Sequence, residues 1–381
     1  MKRIGLAYLP LHHGKAPYWL MKRMKELAQA IISIIIEEYN QDEFLRRLSD
    51  PTWFQAFGCV LGFDWHSSGL TTTVCAAIKK VVKPQELGIA VAGGKGRFSI
   101  KTPHEIEKLG EDIGLSSRKI ERLKYASKMS AKIDNTAIQA GYPLYHHTFF
   151  FSEKGEFAVI QQGMNVQDRT ARRYHWLSER IKTFEEEPHA AICCDVKKKN
   201  VLNMVAKDSR EARKVCVDLV KEGVKRIRND LSLLRPIYQR SVQEFLKPIE
   251  KEKFTVKILT LPKNVNWKAL EEAYQLQPKN FEGLLSIKGI GPATIRSLAL
   301  ISEIIYGKPV SWKDPKKYSF CLGGKDGVPY PVNRRHYDEV IRTLREFVEG
   351  AEIEKKEKLK ALRRLSNFEN LTKKALSSQP K

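Results

Sequence analysis

The stretch FEGLLSIKGIGPATIRSLALISEIIYG, residues 281–307, decides the fold of the C-terminal part of the chain. Its apolar spacing predicts two helices, and the letters KGIG at residues 288–291 predict a tight turn between them. Pro292 follows at the first position of the second helix, where its missing N–H costs nothing. Two glycines around one apolar residue let the backbone turn and expose N–H groups beside the positive end of that helix. Such a turn is an anion site, and a phosphate of a nucleic-acid backbone fits it.

This segment resembles the helix-hairpin-helix motif of DNA-repair proteins, in which the hairpin reads LPGVG or a close variant. Here the hairpin reads IKGIG, and a small residue and an apolar helix follow it. The resemblance implies that the backbone amides hold a DNA strand by its phosphates without reading the base sequence. The contacts with DNA that we expect on this basis come from Lys288, Gly289, Ile290, Gly291, Thr294 and Arg296.

The same segment also invites comparison with base-excision glycosylases, from which it departs at two positions. In the bifunctional members a catalytic lysine follows the hairpin, but here Ala293 occupies that position. Their catalytic aspartate would fall at Ser311 or, with a shift, at Asp314. The hairpin is therefore predicted to hold DNA, and any chemistry is expected in the N-terminal part of the chain.

Charge gives separate support for a polyanionic partner. The 381 residues include 67 Lys and Arg against 44 Asp and Glu, so that the formal net charge is +23. DNA is the first candidate, RNA is possible, and an anionic membrane surface is the weaker interpretation. No apolar run approaches the length of a membrane span and no signal peptide is visible, so we expect a cytoplasmic protein. Six cysteines without CxxC spacing indicate neither a disulfide framework nor a zinc ribbon.

Periodicity along the chain predicts an α+β protein, with an N-terminal mixed α/β domain followed by an all-helical region that contains the helix-hairpin-helix unit. The pattern predicts a helix at residues 169–181 and strands at residues 89–92, 145–151, 156–161 and 190–195. We expect four units, namely an α/β domain with the active site (1–187), a basic helical region (188–255), the DNA-binding domain (256–350) and a basic tail (351–381).

Two loops of the N-terminal domain are candidates for chemistry. Asp64 and His66 are two residues apart, so in extended backbone they share a face and could ligate one metal ion. The structural alternative is a turn that caps the next helix. Lys95 lies in the glycine-rich run at residues 93–96 after a predicted strand, where N–H groups and an ammonium suit a phosphate. This run is neither a Walker A loop nor GxGxxG, and a plain glycine turn is the alternative.

Two further groups lie on predicted helices and strands. Lys132 and Asp134 suit either a Schiff-base nucleophile with a proton shuttle or a nuclease site in which carboxylates hold a divalent ion. His146 follows on a predicted strand, where it and the next histidine face opposite sides. Arg172 and Arg173 are interleaved with aromatic residues, which suits phosphate contacts and base stacking.

Several segments together resemble an archaeal and thermophile conserved family that is catalogued as a domain of unknown function, number seven hundred and sixty-three. The segments are IGLAYLPLHHG, GCVLGFDWHSSGLTTTV, ELGIAVAGGKG, SAKIDN, YPLYHHTFFF and ARRYHW. The resemblance runs to about residue 350 and implies no established reaction.

We therefore expect a DNA-binding protein of the repair or processing type that cleaves the backbone of damaged or structured DNA with Mg²⁺ or Mn²⁺. Its catalytic residues would be Asp64, His66, Lys95, Lys132, Asp134 and His146, and the metal ligands among them Asp64, His66 and Asp134. One alternative is a metal-free abasic-site lyase or glycosylase that uses Lys132 or Lys95 as its amine. Another is a DNA-binding or adaptor protein without catalysis. The oligomeric state is not indicated.

Overall fold

The structure, a computed structural model, describes residues 18–63, 68–194, 196–239, 261–315 and 334–377. Asp64 and His66, two of the expected metal ligands, lie outside these residues. None of the helices in these ranges is both long and apolar enough to cross a membrane.

An antiparallel sheet of five strands, in the order β1-β3-β4-β5-β6, organises the mixed α/β fold. Its strands are β1 (Ile89–Lys95), β3 (Leu144–Ser152), β4 (Phe157–Asn165), β5 (Thr170–Leu177) and β6 (Ala191–Cys193). A separate pair is formed by β2 (Ile138–Gln139) and β7 (Leu202–Asn203). Each of the four predicted strands overlaps a strand of the larger sheet, namely β1, β3, β4 and β6.

The predicted helix at residues 169–181 is wrong, because this segment contains β5. All eight residues of β5 are buried, and the strand pairs with β4 on one side and β6 on the other. Two ladders of backbone hydrogen bonds and burial on both faces outweigh the helix-like spacing of its charged residues. The region after residue 188 is likewise not all-helical, since it begins with β6.

Helices cover both faces of the sheet. The core on the first face contains buried residues of α1 (Tyr18–Glu38), α2 (Gln41–Ser49), α3 (Pro51–Val60), α4 (Gly69–Val81), α14 (Arg334–Gly350) and α15 (Lys355–Ser377). The core on the second face contains buried residues of α7 (Thr102–Asp112), α8 (Ser117–Lys132), α9 (Arg210–Glu222), α10 (Val224–Gln239), α11 (Trp267–Leu276), α12 (Phe281–Ser286) and α13 (Pro292–Ile304). Short helices α5 (Pro84–Leu87) and α6 (Arg97–Ile100) flank β1, and a π-helical turn, Ile133–Ala137, continues α8.

Alternation along the strands divides the apolar residues between two cores. Ala90 and Phe149 belong to the larger core, whereas Val91 and Phe150 belong to the smaller one. The larger core also contains buried residues of α12 and α13 and continues to Trp312. It therefore crosses the expected boundaries after residues 187 and 255, and the division into units remains a prediction.

The expected tail contains a helix that packs on the N-terminal part of the chain. Ala361 and Leu365 of α15 are fully buried in the smaller core. Arg364 donates a hydrogen bond to the carbonyl of Val60, at 2.8 Å. These contacts stabilise a helix in the segment that the sequence predicts only as a basic tail.

Candidate functional site

Residues 287–291, which we call the 287–291 loop, join α12 to α13. Ile290 is fully buried and anchors the loop in the larger core. Gly289 has φ of +86°, and a Cβ there would lie 2.8 Å from Asn266 Nδ2, so only glycine fits. At Gly291 the conformation is ordinary, and a Cβ would meet only the carbonyl oxygen of Gly289, at 3.9 Å.

The Lys132 ammonium donates hydrogen bonds to two backbone carbonyls of the 287–291 loop. Its Nζ lies 2.6 Å from the carbonyl oxygen of Ile290 and 3.3 Å from that of Ile287. The side chain is partly buried at the end of α8, where the helix gives way to the π turn. Burial lowers the pKa of Lys132, and nearby Lys128 lowers it further. An ammonium has three donors, so two carbonyls leave one of them available.

Two side-chain amides bind two further carbonyls around the turn. Asn266 donates to the carbonyl of Gly289 at 3.3 Å, while its oxygen caps α11. Gln139 donates to the carbonyl of Pro292 at 2.9 Å. By contrast, several N–H groups around the turn have no hydrogen-bond partner in the part of the chain that the structure describes. We call three of them, those of Gly289, Gly291 and Ala293, the amide edge.

The charged residues around the amide edge differ in exposure. Lys128 and Lys288 are exposed and form no ion pair within the described ranges. Arg296 is partly buried, and its guanidinium lies 5.4 Å from the ring centre of Trp312. Thr294 is buried, so its side chain is not available to a backbone strand.

Arg172 and Arg173 do not fit their expected role as DNA contacts, because the exposed fraction of both residues is 0%. Arg172 donates to both carboxylate oxygens of Asp314, at 3.0 and 2.7 Å. Asp314, the shifted glycosylase position, is therefore the partner of a buried arginine. Arg173 donates to Gln55 Oε1 at 3.1 Å from each of two nitrogens. A strand buried on both faces must pair any arginine internally.

The expected catalytic residues do not form one cluster. Lys95 lies directly opposite His146 in the pairing of β1 with β3, so these two share one face of the sheet. Asp134 binds Gln161, and this strand position faces the opposite side from His146. Lys132 lies on the side of Asp134, at the end of α8. The sheet thus separates Lys132 and Asp134 from Lys95 and His146.

Asp134 belongs to a buried hydrogen-bond network. Its Oδ2 accepts from Gln161 at 2.6 Å and from the Trp176 indole at 3.0 Å, and its Oδ1 lies 2.5 Å from His189 Nε2. Burial raises the pKa of the Asp134 carboxyl, and His189 opposes this effect. Because its oxygens already have three partners in the protein interior, we remove Asp134 from the expected metal ligands. Within the described ranges, no three His, Cys, Asp or Glu are placed to hold a metal ion.

His146 and Gln162 are neighbours across β3 and β4, and each carries a buried polar atom without a partner. These atoms are His146 Nδ1 and Gln162 Oε1, which form no hydrogen bond within the residues that the structure describes. Gln162 Nε2 donates to the carbonyl of Ser68 at 2.8 Å and to the Tyr145 hydroxyl at 2.5 Å. Burial lowers the pKa of His146 to about 3, so its ring is neutral near pH 7. Ser68 directly follows segment 64–67, which contains Asp64 and His66.

Comparison with protein-family models supplies the classification. Residues 5–332, most of the chain, match the family described as "Protein of unknown function (DUF763)". The chain belongs to the DUF763 family. No curated protein and no solved structure matches it. The DUF763 match includes the sheet, α12, the 287–291 loop and α13, and it assigns no reaction.

Sequence reasoning missed the residues that hold the loop of this DUF763 chain. Gln139 and Asn266 are neutral, and neither belongs to a charge cluster or a motif. Asn266 had one available signal, because an asparagine before an apolar helical pattern is typical of an N-cap. Its second hydrogen bond, to the loop, has no counterpart in the local sequence.

Proposed function

We propose that this protein binds DNA as part of DNA repair or processing, and that the 287–291 loop acts as a helix-hairpin-helix unit. The proposal rests on one observation. The loop is held through its carbonyls by Lys132 and Asn266, and Gln139 holds the carbonyl of Pro292 next to it. The amide edge has no partner among the residues that the structure describes. Unpaired N–H groups at the start of α13, next to the positive end of the helix dipole, suit a phosphate oxygen.

The surrounding charge supports the same partner. Exposed Lys128 and Lys288 lie near the loop, and the whole chain carries +23. Contacts of this kind position a backbone strand without reading bases, so we expect binding that is independent of sequence and weakens with salt. RNA offers the same phosphates, and a parallel titration with an RNA duplex distinguishes the two.

Gly291→Ala tests the role of the amide edge. The added methyl has room in the protein, so the variant should fold normally, but it projects beside the N–H groups that would hold a phosphate. Losing one charge-assisted hydrogen bond should weaken duplex binding by roughly tenfold at constant salt. Fluorescence anisotropy with a labelled duplex over a range of salt concentrations measures both the affinity and its salt slope.

Gly350→Ala is the matched control, since a Cβ there would make only an ordinary contact with Ile34 at the end of α14. Its duplex affinity should equal that of the unmodified protein. If folded Gly291→Ala also keeps the affinity and the salt slope, the proposal fails. Gly289→Ala is not a substitute, because its Cβ would collide with Asn266 and distort the loop.

Cleavage of the DNA backbone is our second candidate function, and one observation favours it. Lys95 and His146 lie opposite each other, and His146 Nδ1 and Gln162 Oε1 are buried without partners among the residues that the structure describes. Buried polar atoms of this kind often belong to functional sites. A titration of Mg²⁺ and Mn²⁺ with flapped, gapped and abasic DNA tests cleavage. Absence of strand scission with any metal eliminates it, and a borohydride-trapped adduct would favour the lyase alternative.

A further inference from the structure

Residues 95–101, KGRFSIK, begin with the last residue of β1 and form a largely exposed patch that the proposed loop contact does not use. Two of its apolar side chains are unusually exposed, Phe98 at 50% and Ile100 at 81%. Three exposed cations accompany them: Lys95, Arg97 and Lys101. We call residues 95–101 the β1 patch.

The cations of the β1 patch are not neutralised by the protein. None of the three forms an ion pair in the part of the chain that the structure describes. The Arg97 guanidinium lies 5.9 Å from the centre of the Phe98 ring, and Lys95 Nζ lies 5.9 Å from the Tyr145 ring. Positive charge is therefore concentrated around an exposed aromatic face.

Hydrogen bonds fix the backbone of the patch. The N–H of Gly96 donates to the carbonyl of Tyr145 at 2.7 Å. The carbonyl of Gly96 accepts from the N–H and the hydroxyl of Ser99, at 3.0 and 2.6 Å. Thr102 then donates to the carbonyl of Ser99 at 2.7 Å. Phe98 is thus presented by an ordered turn, which limits the entropy lost when a ligand binds.

We propose that the β1 patch binds an unpaired nucleotide of single-stranded nucleic acid. Phe98 provides the face on which a base stacks, and Lys95, Arg97 and Lys101 contact the flanking phosphates. An exposed aromatic ring among unpaired cations matches the two parts of a nucleotide, an apolar base face and an anionic phosphate. In a duplex the base faces are already stacked, so this surface favours a single strand.

The inference extends the proposed function, since it specifies DNA that contains a single-stranded segment, but it can be tested separately. In the full-length protein, Phe98→Ala should weaken binding of a labelled oligothymidylate by roughly tenfold, the effect of losing one stacked base. Binding of a blunt duplex should not change. Phe98→Trp should restore the affinity, because its ring also stacks. Leu233→Ala is the control, since this apolar side chain is 63% exposed on α10.

The cations give a second readout that is independent of stacking. Arg97→Gln with Lys101→Gln should lower the salt slope of oligothymidylate binding by roughly 0.7 for each phosphate contact that is lost. The inference is overturned if Phe98→Ala binds oligothymidylate with the same affinity as the unmodified protein. That result is expected if the β1 patch binds a protein partner instead. It is also overturned if duplex binding weakens equally.

The two proposals fail in different ways. If Gly291→Ala leaves duplex binding unchanged while Phe98→Ala weakens single-strand binding, only the role of the 287–291 loop is lost. If Gly291→Ala weakens duplex binding while Phe98→Ala has no effect, only the β1 patch is lost.

Discussion

Lys132 shows how a single residue can have a role that its sequence neighbourhood does not indicate. Beside Asp134 it suits a catalytic lysine, and burial lowers its pKa as a Schiff-base amine would require. Its ammonium is nevertheless bonded to the carbonyls of Ile287 and Ile290. The contact with Ile290 spans 158 positions along the chain, so no local pattern contains it.

Lys132→Met should therefore destabilise the protein. The variant loses two hydrogen bonds from a charged donor and leaves the buried Ile290 carbonyl without a donor, whereas the Ile287 carbonyl keeps the N–H of Ile290, so the unfolding free energy should fall by about 2–3 kcal/mol. Lys128→Met, an exposed lysine on the same helix, should change it by less than about 0.5 kcal/mol. Urea denaturation compares the two variants. Equal stability would show that Lys132 does not support the loop.

At the scale of elements, β3 and β5 place three neutral imidazoles inside the protein. Burial lowers the pKa of His146 to about 3, that of His147 to about 4, and that of His175 well below its ordinary value. Each ring is buried in the sheet region. The folded state therefore excludes protons that these residues accept once the chain unfolds.

The hydrogen bonds of His147 determine which of its nitrogens carries the proton. Gln161 donates its amide N–H to Asp134, so its Oε1 must accept from His147 Nδ1, at 2.8 Å. His147 Nε2 is then an acceptor, and the Ser127 hydroxyl donates to it at 2.8 Å. Protonation would turn this acceptor into a second donor, so the Ser127 hydroxyl would have to accept instead of donating.

The imidazoles predict a loss of stability in acid. Their folded pKa values lie below the unfolded value near 6.5, so their contribution is complete above about pH 6.5 and decreases as the pH falls. Near pH 5 each should change the unfolding free energy by about 1.4 kcal/mol per pH unit. His146→Gln should reduce the pH dependence of the unfolding free energy by the contribution of one proton. Urea unfolding at several pH values in the acid range measures this dependence. His104→Gln, on the exposed face of α7, is the control. If the two variants show the same pH dependence of the unfolding free energy, this prediction is wrong.

Local chemistry explains which elements the sequence predicts. The turn at residues 287–291 depends on glycine and proline, and β3 and β4 depend on an apolar pattern around a short turn, so each signal is contained in neighbouring residues. The strand β5 was missed because Arg172 and Arg173 find their partners, Asp314 and Gln55, more than a hundred positions away. The sequence also does not predict that Lys132 and His146 lie on opposite sides of the sheet, because this depends on the face on which α8 packs.

For the whole molecule, the pair of Arg172 and Asp314 fastens the segment after α13 to the sheet. Both side chains are fully buried, and Asp314 also accepts from the backbone N–H of Lys198 at 2.7 Å. The Arg172 guanidinium lies 4.6 Å from the centre of the Tyr142 ring. A charge pair in such a setting depends on both partners, because either charge alone would be buried without compensation.

Asp314→Ala should thus cost about 3–5 kcal/mol of unfolding free energy, because it leaves the Arg172 charge unpaired. Arg172→Met combined with Asp314→Leu should recover most of this loss, since it replaces the ion pair with apolar packing. Urea denaturation of the single and double variants measures the coupling. A double variant that is less stable than either single variant would show that the charges themselves are required.

The hydrogen bonds that hold the 287–291 loop limit the transfer of this segment to another protein. Lys132 binds two carbonyls of the loop, and Gln139 binds the carbonyl of Pro292 directly after it. Neither residue belongs to the helices that flank the loop. Grafting residues 281–304 onto another scaffold would transfer the motif sequence without the side chains that fix the conformation of its loop. Protein engineers would need to carry over the end of α8 and its π turn as well.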